Sequence, residues 1–160
     1  MNKLQNDIIS EISKQYRKMG FLSNSNENNE LPLFLSGGVD STLCGLVADS
    51  IGLKPVCISF ARQGVRSKDF IQAQKTCNLM GWKFHPVELP EEHPKDAFFR
   101  MIQNYGVDKK TELEVLYPFT FLIEEVKKLG FSKVVFGQIT TADNRKRSVE
   151  LKNSAEDFWH

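Results

Sequence analysis

Ser36-Gly37-Gly38-Val39-Asp40-Ser41 lies between an apolar run and a segment of helical spacing. Two glycines allow a tight turn and remove Cβ atoms that would hold a ligand away. The hydroxyls of Ser36 and Ser41 are donors, and backbone N–H groups at a helix start favour an anion. Phosphate or pyrophosphate is the natural guest. A carboxylate at Asp40 suits such a site when a divalent cation lies between it and the phosphates, and its oxygen ligands fit Mg²⁺. The hexapeptide lacks the lysine of GxxxxGKS/T and is not GxGxxG, so two common nucleotide loops are excluded. Other residues with chemical potential are more scattered. Arg62, Arg66 and Lys68 follow a second apolar run, and Arg145-Lys146-Arg147 is the densest basic cluster. Cys44, Cys57 and Cys77 form no CxxC pair, and each reads as a structural thiol. His85 and His93 lack partners at metal-ligand spacing, which argues against zinc.

The elements that must position the hexapeptide are legible as periodic segments. Leu4, Ile8, Ile9, Ile12, Tyr16 and Met19 predict an amphipathic helix over 4–19 that Gly20 closes. An Asn-rich polar loop follows over 23–30. Short apolar runs predict strands at 31–35, 55–60, 83–89 and 133–136. Helices are expected at 42–51, 68–80 and 95–104, and another with Pro118 in its first turn running to Leu129. Strands alternating with helices indicate an α/β domain with a mostly parallel sheet, in three layers α/β/α. Continuous rather than alternating apolar strands mean that both faces are covered. Ligands of such sheets bind beyond the carboxyl ends of the strands. That directs attention to 36–41, 59–62 and 137–143.

Composition bounds the rest. A chain of 160 residues fits one domain, read here as an N-terminal helix and polar loop over 1–30 followed by a nucleotide-binding domain over 31–160. With 41% hydrophobic residues it is too apolar for a disordered chain, and no run approaches the length of a membrane span. Balanced charge, 21 basic against 20 acidic side chains, provides no general attraction for nucleic acid or anionic lipid. The N-terminus has no apolar core of a signal peptide. A cytoplasmic protein with reduced thiols is expected.

The hexapeptide resembles the SGGxDS signature of the PP-loop ATP pyrophosphatase superfamily, with a HUP-like, Rossmann-like fold. Its members cleave ATP between the α- and β-phosphates, adenylate an acceptor oxygen and release pyrophosphate with Mg²⁺. Further segments are similar to the asparagine synthetase branch. Ser59-Phe60 ends the second strand as in that family, and Glu114-Val115-Leu116-Tyr117-Pro118-Phe119 resembles the segment before its next strand. Val134-Val135-Phe136-Gly137-Gln138, reaching Asp143, is similar in position to its second nucleotide loop, usually SGEGxDE. Here Phe136 stands for the serine and Gln138 for the glutamate, and Asn144 follows Asp143. The resemblance covers about Leu31 to Asp143.

What this resemblance implies is specific. Ser36, Gly37, Gly38, Val39, Asp40 and Ser41 would hold the ATP phosphates, with Mg²⁺ on Asp40 and Asp143. Ser59, Phe60, Gly137 and Gln138 would line the adenine and ribose. Ser36, Asp40 and Ser41, with Arg145 and Lys146, would align and neutralise charge, since phosphoryl chemistry asks mainly for positioning. The expected activity is an AMP-forming ligase acting on ATP and a small-molecule acceptor. Ammonia would come from solution or a partner, and a homodimer is in keeping with the family. Two alternatives stand beside it. One is a nucleotide- or tRNA-modifying enzyme of the thiolation or deazapurine type, and the other a non-catalytic nucleotide-binding subunit. Only residues 144–160 follow the second loop, so the substrate half is expected to come from these residues, from a partner or from a longer protein.

Overall fold

The computed structural model describes residues 3–22, 28–90, 95–107 and 109–137. Four strands, β1 (Glu30–Phe34), β2 (Lys54–Arg62), β3 (Lys83–Leu89) and β4 (Val135–Phe136), form a parallel sheet in the order β3-β2-β1-β4. The helices are α1 (Lys3–Lys18), α2 (Val39–Ser50), α3 (Lys68–Met80), α4 (Lys95–Tyr105) and α5 (Lys110–Lys128). The chain divides into two compact units. One contains the sheet, α1, α2, α3 and residues 118–137; the other is built on α4 and the residues up to 117.

Alternation along β1 explains the layering of the first unit. Leu31, Leu33 and Leu35 join Cys57 in a core with Tyr16 of α1, Val47 and Ala48 of α2, and Ala73 and Cys77 of α3. Phe34 points the other way, to a core with Ile58, Val87 and the α5 residues Leu122 and Val126. Both faces are therefore covered, and the three-layer α/β/α expectation holds. Each fully buried leucine of β1 contributes about 1.5–3 kcal/mol. In the second unit Met101, Val107 and Leu113 form a small core with Phe98, Leu116 and Tyr117.

Strand order β3-β2-β1-β4 has a direct consequence for function. Connections leave β1 toward β2 on one side and β4 pairs with β1 on the other. The carboxyl ends of β1 and β4 thus flank a topological switch point, where open α/β sheets hold ligands.

The largest departure from the sequence reading is α5. Pro118 was expected in a first turn, yet it is buried inside a helix that begins at Lys110. A proline costs the bond to the carbonyl four residues earlier. Leu113, Leu116 and Tyr117, at helical spacing ahead of it, pack against Met101 and Val107, and that burial outweighs the lost bond. Two boundaries also shift: α2 starts at Val39, and β4 is confined to Val135–Phe136. Helix α3 matches its predicted span. Ser67 Oγ accepts from Phe70 N–H at 3.1 Å, and Gly81 closes the helix in the left-handed region, at φ 69°.

His85, which has no partner at metal-ligand spacing along the chain, pairs with Glu125 of α5 at 2.8 Å, and Lys128 lies 3.2 Å from the same carboxylate. The hydrogen bond with His85 outweighs the opposing burial and, with Lys128, holds the Glu125 carboxyl below its ordinary range. The folded chain thus binds fewer protons here than the unfolded chain. Its stabilisation is complete above the ordinary carboxyl value, ~4.3, and is lost as pH falls through the lower folded value. Glu125→Gln is expected to remove on the order of 1 kcal/mol at neutral pH. It should also flatten the acid limb of urea-melt stability below about pH 4.5. An acid limb identical to that of the parent chain would show that the pair contributes nothing.

Candidate functional site

The site grows from the end of β1. Leu35 N–H still bonds Ile58 carbonyl at 2.9 Å, and the chain then leaves the sheet at Ser36. Gly37 adopts φ 78°, a left-handed conformation that lets the chain reverse into α2. Gly38 is the N-cap of α2 and receives no side-chain cap. The first intrahelical bond is Thr42 N–H to Gly38 carbonyl, 3.2 Å, so the N–H groups of Val39 and Asp40 precede it. An uncapped helix start with small residues in front of it is an anion-binding geometry.

Hydroxyls hold the loop in shape. Ser41 is buried, and its Oγ accepts from Ser36 N–H at 3.2 Å and lies 3.0 Å from Ser36 Oγ. Ser41 also donates to Gly38 carbonyl at 3.3 Å, so the proton of the shared bond comes from Ser36. Gly38 N–H donates to Ser36 Oγ at 3.3 Å. Thr42 Oγ1 donates to Gly38 carbonyl at 2.8 Å. Ser41 is thus an internal brace, whereas Ser36, Gly38, Val39 and Asp40 are exposed. Asp40 is an exposed carboxylate in the first turn of α2, suited in type to a Mg²⁺ that also touches phosphates.

The two glycines divide their work. A Cβ on Gly37 would fall on the Asp69 carbonyl oxygen and reach Ala73 N at 3.1 Å, so this residue seats the loop against the first turns of α3. A Cβ on Gly38 would meet only Ser36 Oγ, at 3.4 Å, so Gly38 leaves its outer side clear. The sequence reading gave the two glycines a tight turn and ligand access; Gly37 makes the turn and also packs closely against α3.

Gly137 is the second close approach. A Cβ there would fall on Ser41 Cα and come within 2.6 Å of Ser41 N. The residue after β4 therefore lies directly on the loop after β1, across the switch point. Ser59 is buried near the end of β2, and Phe60 beside it is partly exposed. Arg62, at the end of β2, and Arg66, on the turn before α3, are exposed, with the Arg66 guanidinium 5.8 Å from the Phe70 ring centre. Gln138, Asp143, Arg145 and Lys146 lie outside the described residues. Thr42 and the first turns of α3 were missed by sequence reasoning. A threonine four residues past a helix N-cap was a local signal for the first, but nothing local pointed to the second.

The three cysteines are free thiols, with Cys57 and Cys77 fully buried. Cys44, expected in the core, is only half-buried; burial nevertheless pushes its thiol up. No cluster of three or more metal-ligating side chains occurs among the described residues, and no helix among them is long and apolar enough to cross a membrane. An open depression of about 330 Å³ between α2 and α3 reaches the loop at Gly37 and Gly38, but Leu43, Leu46 and Thr76 line its far side, away from the strand ends.

The asparagine synthase family model matches residues 26–138. A tRNA-specific 2-thiouridylase from Ruthia magnifica is 23% identical over 148 residues, covering 85% of this chain and 41% of that protein. A probable mitochondrial tRNA-specific 2-thiouridylase from Caenorhabditis elegans is 30% identical over 86 residues, covering 48% of this chain and 23% of that protein. The chain thus spans less than half the length of these relatives. Among solved structures, the ammonia-dependent NAD synthetase of Campylobacter jejuni aligns with a TM-score of 0.51 at 16% identity, over 79% of this chain and 53% of that one. The glutamine-dependent NAD⁺ synthetase of Acinetobacter baumannii, in complex with ADP, also gives 0.51, at 19% identity, over 78% of this chain and 23% of that one. These likenesses show the fold.

Proposed function

Because this chain belongs to the asparagine synthase family of PP-loop ATP pyrophosphatases, we propose that it binds ATP at the 36–41 loop and transfers AMP to an acceptor oxygen, releasing pyrophosphate. One observation carries the reading: an uncapped α2 start, fronted by Ser36 and Gly38, opens at the switch point between β1 and β4. A pyrophosphate group would take donors from the backbone N–H groups of Val39 and Asp40 and from the Ser36 hydroxyl. That hydroxyl would have to leave Ser41 to do so, which the loop permits because Ser41 keeps its bond from Ser36 N–H. Asp40 would hold Mg²⁺, whose charge neutralises the phosphates when it is bound. Phe60 and Gly137 would flank the base and ribose, with Ser59 in the strand beneath, and Gln138, Asp143, Arg145 and Lys146 would complete the polar lining. The protein's part in catalysis is alignment and charge stabilisation. The acceptor is a small carboxylate, carbonyl or amide, with ammonia supplied from solution or by a partner.

The test is product identity. ATP, Mg²⁺, ammonia and a panel of acceptors should yield AMP and pyrophosphate in equal amounts; ADP as the sole nucleotide product would refute the assignment.

A second reading, sulfur transfer to a nucleotide or tRNA, is favoured by the thiouridylase relatives. A thiolate nucleophile needs exposure and a lowered pKa. The hydrogen bond between Cys57 and Cys77 raises the first thiol and lowers the second, but both are fully buried, and burial raises the half-buried Cys44 thiol, so the ligase reading is preferred. Loss of ATP-dependent turnover in Cys44→Ser, with ATP binding intact, would reverse that preference.

A further inference from the structure

Helix α1 lies beside the candidate site without lining it, yet it is bonded to both of the elements that meet there. Its carboxyl end is closed by the N–H groups of Gly20 and Phe21, which donate to the carbonyls of Arg17 and Tyr16 at 3.0 Å each. The Met19 carbonyl beside them accepts from Lys133 Nζ at 2.8 Å, across 114 residues of sequence. An ammonium is favoured at that point, because the end of a helix carries partial negative charge. Gly20 leaves room for it, since a Cβ there would come within 3.2 Å of Lys133 Nζ. Lys133 stands two residues before β4 and four before Gly137.

The other bond runs to the helix that carries the loop. Tyr16, 2% exposed, donates its hydroxyl to the Cys44 carbonyl of α2 at 2.7 Å. Cys44 lies three residues past Ser41. The Tyr16 ring also meets Phe21 edge-on at 6.4 Å, which fixes it at the turn that Lys133 closes. Between these two bonds Ile9, Ile12 and Met19 pack on the core that includes Leu35, Val47 and Val135.

Strand β4 has little else to set its position. Among the described residues two pairs join it to β1, against five between β1 and β2. Gly137 nevertheless lies directly on Ser41, a contact with β4 on one side and the start of α2 on the other. We infer that α1 is a strap across the switch point, and that Lys133 and Tyr16 are positioning residues that hold Gly137 on the phosphate loop. This rests on the reading that the 36–41 loop holds the phosphates. Lys133 ties β4 to α1 and Tyr16 ties α1 to α2, so the two bonds form one chain and act as a unit.

Calorimetric affinity for ATP with Mg²⁺, read beside hydrogen exchange in β4 and β2, tests the strap. Lys133→Met keeps the aliphatic stem and removes the ammonium. It should weaken ATP about fivefold, the size of one hydrogen bond of ordinary net strength, and speed exchange in β4 while leaving β2 unchanged. Lys133→Arg keeps a cationic donor and should restore both readings. Tyr16→Phe keeps the ring in the core and should weaken ATP to a similar extent. The double variant, Tyr16→Phe with Lys133→Met, should lose less than the product of the two single losses. Parent affinity in Lys133→Met, or single losses that multiply in the double variant, would overturn the inference while leaving the phosphate-loop reading intact. Weaker ATP binding with unchanged exchange in β4 would overturn it as well, since Lys133 would then act only as a surface charge. Failure of the parent chain to bind ATP would reject the phosphate-loop reading itself, and the positioning role with it.

Discussion

Gly137→Ala is expected to lower ATP affinity about a hundredfold, because the added methyl has nowhere to go. It would fall on the Ser41 backbone, and the neighbours within reach are main-chain atoms of Asp40 and Ser41 rather than a flexible side-chain end. Either β4 or the loop must retreat. The retreat pulls backbone donors away from the phosphates; a hydrogen bond to a charged group is worth ~1.5–3 kcal/mol, and every ~1.4 kcal/mol is tenfold in affinity. Overpacking of this kind also destabilises by about 1–3 kcal/mol. Calorimetric titration of ATP, paired with a urea melt, measures both losses. Near-parental ATP affinity would mean that β4 does not brace the loop.

Gly37→Ala should damage folding more than Gly137→Ala does. Its left-handed backbone, at φ 78°, costs an alanine roughly 1–2 kcal/mol. The same Cβ would fall on the Asp69 carbonyl oxygen of α3, adding ~1–3 kcal/mol of overpacking. For a chain of this size the sum corresponds to a drop in Tm on the order of 10 °C. Gly38→Ala is the internal comparison, since its Cβ would find ordinary contact at 3.4 Å from Ser36 Oγ. A thermal melt in which Gly37→Ala and Gly38→Ala lose equal stability would contradict the division of labour between the two glycines.

Features encoded within a few residues of themselves were legible in the sequence. The β1 and β2 runs are continuously apolar because both faces are covered, and α3 announces its ends with Ser67 and Gly81. The hexapeptide could be read as a candidate phosphate loop because glycine, hydroxyl and helix start are adjacent. Features set by distant contacts were not legible. Pro118 obeyed a local rule for helix starts, and burial of Leu113 and Leu116 overruled it. Gly37 faces α3 more than 30 residues later, Gly137 reaches back almost 100 residues, and His85 finds Glu125 across 40. No spacing along the chain carries such pairings. Phe136 was noticed as a departure from a serine, but its half-exposed ring at the switch point emerges only from the register of β1 with β4.

The clamp of Gly137 on Ser41 also bears on when the site comes into being. The chain emerges from the ribosome at ~5–20 residues per second, amino end first. The 36–41 loop, β2 and α3 therefore exist several seconds before β4 is made. Until then β1 has a neighbour on one side only, and the loop is seated by α3 alone. The β1–β4 pair joins residues about 100 positions apart, a contact whose loop-closure cost makes it slow to form. On the proposed function, nucleotide binding would be a late acquisition of the growing chain, and ATP, by favouring the clamped form, would act as a ligand that completes its own fold.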